Sequence, residues 1–127
     1  MAHDEHHEHL IKEVADLFDP ILKNSPQAIY IYLDDAHKTC NQKFADMLGY
    51  KSIDEWVANE TPVDDVLESD QNKVIEAYGN ASEKYEASAL SVTVKTKDGT
   101  EIEVDIIMTP FTYKNEVFVL HFISEKS

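Results

Sequence analysis

Three sets of residues carry side chains that could do chemistry. The first is the run His3-Asp4-Glu5-His6-His7-Glu8-His9, dense in imidazoles and carboxylates. His3 and His7 stand at helical spacing and could chelate a transition metal. The run is not H-E-x-x-H, and it lacks the first His of H-x-x-E-H, so a zinc-peptidase reading is rejected. It reads as a tail that takes up metal adventitiously, and no metal ligand is assigned. The second is His121, inside the apolar run Val117–Ile123. Its imidazole is expected to be covered and satisfied by a neighbouring hydroxyl or carbonyl. The sharper alternative is a proton-sensitive or ligand-contacting group, since burial lowers its pKa and a carboxylate raises it. His37 falls in a turn and is expected to be exposed. The third set is the adjacent acids Asp34-Asp35 and Asp64-Asp65. Neighbouring positions point different ways, so these are caps and turns rather than an acid/base dyad.

Other catalytic constellations are missing from the sequence. There is no Ser-His-Asp order and no kinase set, and three glycines leave little for a phosphate cradle. Cys40 is the single cysteine, which excludes an internal disulfide and a Cys-rich zinc site and suits a reducing compartment. We read it as a small buried apolar residue. The chain is therefore expected not to be an enzyme.

Charge narrows the partners. Twenty-five acids face eleven basic residues, every one a Lys, for a net charge of −14. Without arginine forks or cationic clusters, neither nucleic acid nor an anionic membrane surface is an expected partner. The acidic excess reads as a solvated surface. Apolar residues make up 43% of 127 residues, enough for one domain with one core and too many for disorder. The longest apolar runs are strand-length, and no basic-then-apolar leader opens the chain, so a cytoplasmic location is expected.

The elements that must position these residues follow from periodicity. Residues 1–9 are expected to form a disordered His/acid-rich tail. Leu10, Ile11, Val14, Leu17, Phe18, Ile21 and Leu22 make an apolar stripe at helical spacing, so 10–24 form N-terminal flanking helices, interrupted near Asp19-Pro20. The domain proper spans 25–127. Ala28–Leu33 is a β-branched and aromatic strand, and Lys38–Cys40 a short partner. Asn41 caps a helix whose Phe44, Met47 and Leu48 share a face, and Gly49 ends it. Ser52 and Glu55 form a capping box. Thr61-Pro62 opens another short helix, and Asp70 caps one that ends near Gly79 or restarts through Lys84. The pattern then switches to period two: Leu90–Val94, a Lys97-Asp98-Gly99 hairpin, and Ile102–Met108, which Pro110 stops or bulges. Tyr113–Glu116 turns the chain into Val117–Ile123, apolar at nearly every position and so expected at the centre of the sheet.

The segment Asn41-Gln42-Lys43-Phe44-Ala45-Asp46-Met47-Leu48-Gly49-Tyr50 resembles the N-x-x-F-x-x-x-x-G-Y signature of PAS domains. Leu17 through Pro26 resembles the family's entry helix, Ser69-Asp70 its acidic cap, Lys97-Asp98-Gly99 its hairpin, and Ile123-Ser124-Glu125 the end of its exit motif. The resemblance implies an α+β fold: a five-stranded antiparallel sheet with short helices on one face and an N-terminal amphipathic helix. One departure is Phe122, which stands where the exit motif has an Asp. A free-standing sensor and a piece of a larger receptor both fit.

The resemblance also implies a sensory or signal-transduction module that binds a small ligand or a protein partner, such as a signalling kinase. A ligand-free interaction module is the alternative, and a small α+β enzyme a weaker one, because Glu101, Glu103 and Asp105 alternate outward. Haem-binding relatives carry a His on the long helix, and Asp70–Lys84 has none. Photoactive flavin relatives carry Asn-Cys-Arg-Phe-Leu-Gln, which is absent. Haem and photoactive flavin are thus disfavoured, no cofactor is predicted, and an unidentified small molecule is left as the candidate ligand. Candidate pocket residues are Ile31, Phe44, Trp56, Tyr78, Val92, Val104, Ile106, Leu120 and His121. A homodimer through Leu10, Val14, Leu17 and Phe18 is expected, because an apolar helix face seeks a partner.

Overall fold

The computed structural model describes residues 2–126, with side chains from residue 5 onward. Helix α1 (Ala2–Leu17) leads into the short α2 (Asp19–Asn24). Strands β1 (Ala28–Asp34) and β2 (His37–Cys40) form a hairpin. Then come α3 (Gln42–Leu48), α4 (Ile53–Val57), a 3₁₀ turn over Pro62–Asp65, and the long α5 (Glu68–Lys84). Three strands close the chain: β3 (Ser88–Lys95), β4 (Glu101–Tyr113) and β5 (Glu116–Glu125).

The strands make one antiparallel sheet in the order β2-β1-β5-β4-β3, so the continuously apolar β5 lies at the centre. It is covered on both faces. One face carries a core with α3, α4 and α5, including Val119, Ile123, Val104 and Ile106. The other carries Ile29, Ile31, Leu33 and Phe118 beneath Leu10, Ile11 and Val14 of α1. Burying each of those aliphatic side chains is worth roughly 1.5–3 kcal/mol, which holds a helix otherwise rich in charge against the sheet.

Local chemistry sets the boundaries. Asn41 Oδ1 accepts from the Phe44 amide at 3.0 Å, capping α3. Gly49 ends α3 at φ +81°, a left-handed conformation that suits glycine. Ser52 Oγ accepts from the Glu55 amide at 3.1 Å, while Glu55 Oε1 accepts from Lys51 N at 3.0 Å, one residue before the expected partner of a capping box. Lys114 and Asn115 both have positive φ, giving a two-residue hairpin between β4 and β5.

Several sequence expectations are corrected. Residues 2–9, expected to be a disordered tail, are the first half of α1, and His7 is buried. His7 sits one turn before Leu10 and Ile11, on the stripe that faces the sheet. His37, expected to be exposed, is partly covered by its bond to Asp34. Pro110 neither stops nor bulges β4; it pairs with Val119. Since β3 reaches only Met108, β4 has a neighbour on one side there, and a residue without an N–H is tolerated. Asp70 does not cap α5, whose N-cap is Leu67; its carboxylate instead accepts from Thr93 N of β3 at 2.8 Å. Gly79 does not end that helix either, because Ala77 and Ala81 are buried on its inner face and hold it through Lys84.

Candidate functional site

Beneath α3, α4 and α5, the sheet encloses a cavity of about 230 Å³. Its floor is formed by alternate residues of the strands: Tyr30 and Tyr32 of β1, Val104 and Ile106 of β4, and His121 and Ile123 of β5. The helices and the 3₁₀ turn supply Phe44, Trp56, Val66, Val74 and Tyr78 among the walls. Six of the expected pocket residues line it: Phe44, Trp56, Tyr78, Val104, Ile106 and His121.

Ile31, Val92 and Leu120 do not. Ile31 and Leu120 face α1 on the other side of the sheet. Val92 lies in the helix-side core without reaching the cavity. In β1, Ile29, Ile31 and Leu33 face α1, while Tyr30 and Tyr32 face the cavity. Because both faces are covered, hydrophobicity does not distinguish them. The register does: Tyr30 pairs with His121, and Ile31 with Leu120.

The aromatic wall is mutually braced. Trp56 is 1% exposed and packs its ring against Tyr30 at 5.2 Å and Phe44 at 5.1 Å between centroids. Lys38 of β2 holds Trp56 in place. The Lys38 ammonium lies 5.2 Å from the Trp56 ring centroid and donates to the carbonyls of Asp35, Val57 and Asn59. Those three acceptors use all three ammonium hydrogens, so a buried Lys is satisfied without a carboxylate. Burial still lowers its pKa, against the pull of Asp35 and Asp34.

His121 stacks on Tyr30 at 3.8 Å between centroids, nearly parallel, and its Nδ1 lies 3.1 Å from the Val119 carbonyl oxygen. Nδ1 therefore carries the proton and donates. Burial pushes the pKa down to about 3, outweighing the two backbone hydrogen bonds that raise it. Burial thus favours the neutral ring, which lines the cavity.

Two carboxylates at the cavity were not anticipated. Asp35 accepts from Tyr32 Oη, and Asp65 from Tyr50 Oη at 2.5 Å. Burial raises the Asp65 pKa, opposed by the Tyr50 hydrogen bond and the charge of Lys97. Asp35 and Asp65 are the carboxylates of the lining, which contains no Lys; Lys97 acts on Asp65 from outside it. The strand acids Glu101, Glu103 and Asp105 are exposed, as expected. Cys40 is buried outside the lining, and burial pushes its thiol up to about 12, so it presents no thiolate to the cavity.

The expected dimer residues divide. Leu10 and Val14 are consumed by the chain's own sheet. Phe18 stacks on Phe111 at 5.2 Å, and Leu17 is 61% exposed.

Element order and a cavity roofed by short helices define a PAS-type α+β domain. Residues 26–125 match the family model for the PAS domain, and the chain belongs to that family. Among solved structures, it is similar to a PAS domain from a two-component sensor histidine kinase. The identity is 17%, covering 91% of this chain and 99% of that one, with a TM-score of 0.67. It is also similar to the PAS domain of an HTR-like protein from Haloarcula marismortui, at 21% identity, 96% and 99% coverage and TM-score 0.66. A light-oxygen-voltage domain studied with a flavin analogue aligns at 17% identity, 91% and 85% coverage and TM-score 0.65. At these identities the likeness establishes the fold. No curated protein matches the chain by sequence. Among the described residues, no helix is long and apolar enough to cross a membrane.

Proposed function

We propose that this PAS domain is a sensory module that takes a small, mostly apolar, neutral or cationic molecule into its cavity. The observation that carries the reading is the lining: aromatic rings, two carboxylates and no Lys or Arg. Its 230 Å³ exceeds the cavity of roughly 150 Å³ that holds benzene. It falls below the roughly 300–1,000 Å³ of drug-sized ligand pockets. A one-ring molecule fits. An anionic ligand would meet Asp35 and Asp65 with no Lys among the lining residues to pair with it, which also disfavours the phosphate of a flavin nucleotide. A thiol buried outside the lining disfavours flavin photochemistry at Cys40, and the absence of His from α5 disfavours haem ligation there.

Occupancy has a direct route to α1. Strands β1 and β5 carry cavity residues on one face and the seat of α1 on the other. A ligand that binds one arrangement of those strands better shifts the population, and with it the purchase of the helix. The output partner on this reading is a signalling protein such as a kinase.

Native mass spectrometry with a panel of one-ring amines, neutral phenols and benzoates tests the charge preference. Retention of amines or phenols over benzoates by tenfold or more is expected. Preferential retention of benzoates would sink the reading.

A second reading, a dimerising interaction module, draws support from Leu17 and Ile21, apolar residues that are 61% and 51% exposed at the junction of α1 and α2. Sedimentation is expected to give a dimer that Leu17→Glu dissociates; a parent that stays monomeric at high concentration excludes it.

A further inference from the structure

On the opposite face from the cavity, four polar side chains from four elements converge. His7 comes from α1, Asp34 from the end of β1, His37 from the start of β2 and Glu116 from the start of β5. His7 Nδ1 lies 2.7 Å from Asp34 Oδ2, and its Nε2 lies 2.7 Å from Glu116 Oε1. His37 Nδ1 lies 2.7 Å from the other oxygen of Asp34. The ligand atoms of His7, Asp34 and His37 all fall within 4.8 Å of one another. The His7 and His37 rings meet edge to face, 5.7 Å between centroids.

The geometry points to a binding site for one divalent transition-metal ion, Zn²⁺ as the best fit, formed by His7, Asp34 and His37 with Glu116 beside it. Two imidazoles and a carboxylate are a borderline donor set that selects zinc, cobalt or nickel over magnesium or calcium, which prefer all-oxygen shells. Tetrahedral zinc takes such donors at about 2.0–2.2 Å. The β1–β2 hairpin and α1 hold the backbones that present these side chains.

The charge count also suits a cation. Both His7 nitrogens face carboxylates, those of Asp34 and Glu116, at 2.7 Å. A metal ion that takes a ring nitrogen's lone pair sends any proton there to solvent, and the carboxylates keep a positive partner. His7 and His37 side chains are 10% and 13% exposed, against 38% for Asp34, so the Asp34 side gives the ion a way in and a water its coordination place. Glu13 of α1 and Lys114 of the β4–β5 turn pair with each other at 2.7 Å.

This differs from the tail chelate weighed from the sequence. That idea joined His7 to His3, whose side chain lies outside the described residues. Here His7 joins residues 27 or more positions away. An ion so held would pin α1 to the edges of three strands, independently of whether the cavity on the other face takes a ligand.

The test is zinc titration of the full chain by calorimetry, together with Co²⁺ absorption and melting temperature with and without Zn²⁺. Parent protein and the variant His3→Gln/His6→Gln/His9→Gln are both expected to bind one ion, and to melt higher with it. His37→Gln, compared with its own metal-free form, is expected to lose at least tenfold in affinity and to show no zinc-dependent rise. Cobalt absorption in the tetrahedral range should follow the same pattern. Binding that disappears in the triple variant but survives in His37→Gln would overturn the proposal, as would a parent that binds no ion.

Discussion

Replacing Trp56 with Ala is expected to lower the unfolding free energy by about 3–5 kcal/mol, the usual cost of deleting a fully buried large aromatic. That is a large share of the roughly 5–15 kcal/mol that holds a typical domain together. The reason lies in what the ring touches. Trp56 fills the space between Tyr30 and Phe44, and its face is the seat of the Lys38 ammonium. Its removal opens the cavity wall and leaves a buried ammonium on a void. Trp56→Phe keeps part of the ring contact and should lose less. Urea denaturation followed by far-UV circular dichroism measures both. A loss below about 1 kcal/mol for the Ala variant would mean that the wall collapses freely and that the aromatic bracing is unimportant.

Asn41→Ala is the second large effect, expected at about 3–5 kcal/mol from the groups it strands. Asn41 is 2% exposed and makes three bonds at once. Its Oδ1 accepts from Phe44 N at 3.0 Å and from Ile29 N at 3.1 Å, and its Nδ2 donates to the Gln27 carbonyl at 2.8 Å. The Ala variant leaves two buried donors and an acceptor unmet, each costing about 1–3 kcal/mol. Asn41→Asp separates the parts. It keeps both accepted bonds and replaces the donor with a carboxylate oxygen facing a carbonyl, so an intermediate loss is expected. Equal stability of the Ala and Asp variants would show that the bond donated to Gln27, and not the two accepted bonds, sets the cost.

Asn41 also illustrates what was legible from the sequence. A cap, a left-handed Gly49, the hairpin turns and the central, wholly apolar β5 are each written in a few adjacent residues, because their causes are local. The sides of the sheet were not. Ile31 was assigned to the cavity because aliphatic residues ordinarily mark the inside, yet this sheet has two insides. The tyrosines of β1 line one and its isoleucines the other. Lys38 and Asp65 escaped notice for a related reason. A charged side chain reads as solvated until its distant partners, the Val57 and Asn59 carbonyls and the Tyr50 hydroxyl, are in place.

His7 is the intermediate case. Its spacing to Leu10, Ile11 and Val14 is the helical stripe itself, and extending that stripe by one turn would have placed it against the sheet. The surrounding acids and histidines argued for a solvated tail instead. Its partners Asp34 and Glu116 decide the matter, and no pattern within ten residues announces them.

Trp56 is the chain's sole tryptophan and stands in the cavity wall, so its emission reports occupancy without a label. The decisive measurement is a fluorescence titration of the parent and of Val74→Phe, whose added ring takes up cavity space, with a one-ring amine or phenol. A saturable change in the parent, weakened tenfold or more in a folded Val74→Phe, is the predicted result. Identical curves for the two proteins, or an emission that never responds, would contradict the claim that this cavity is a ligand site.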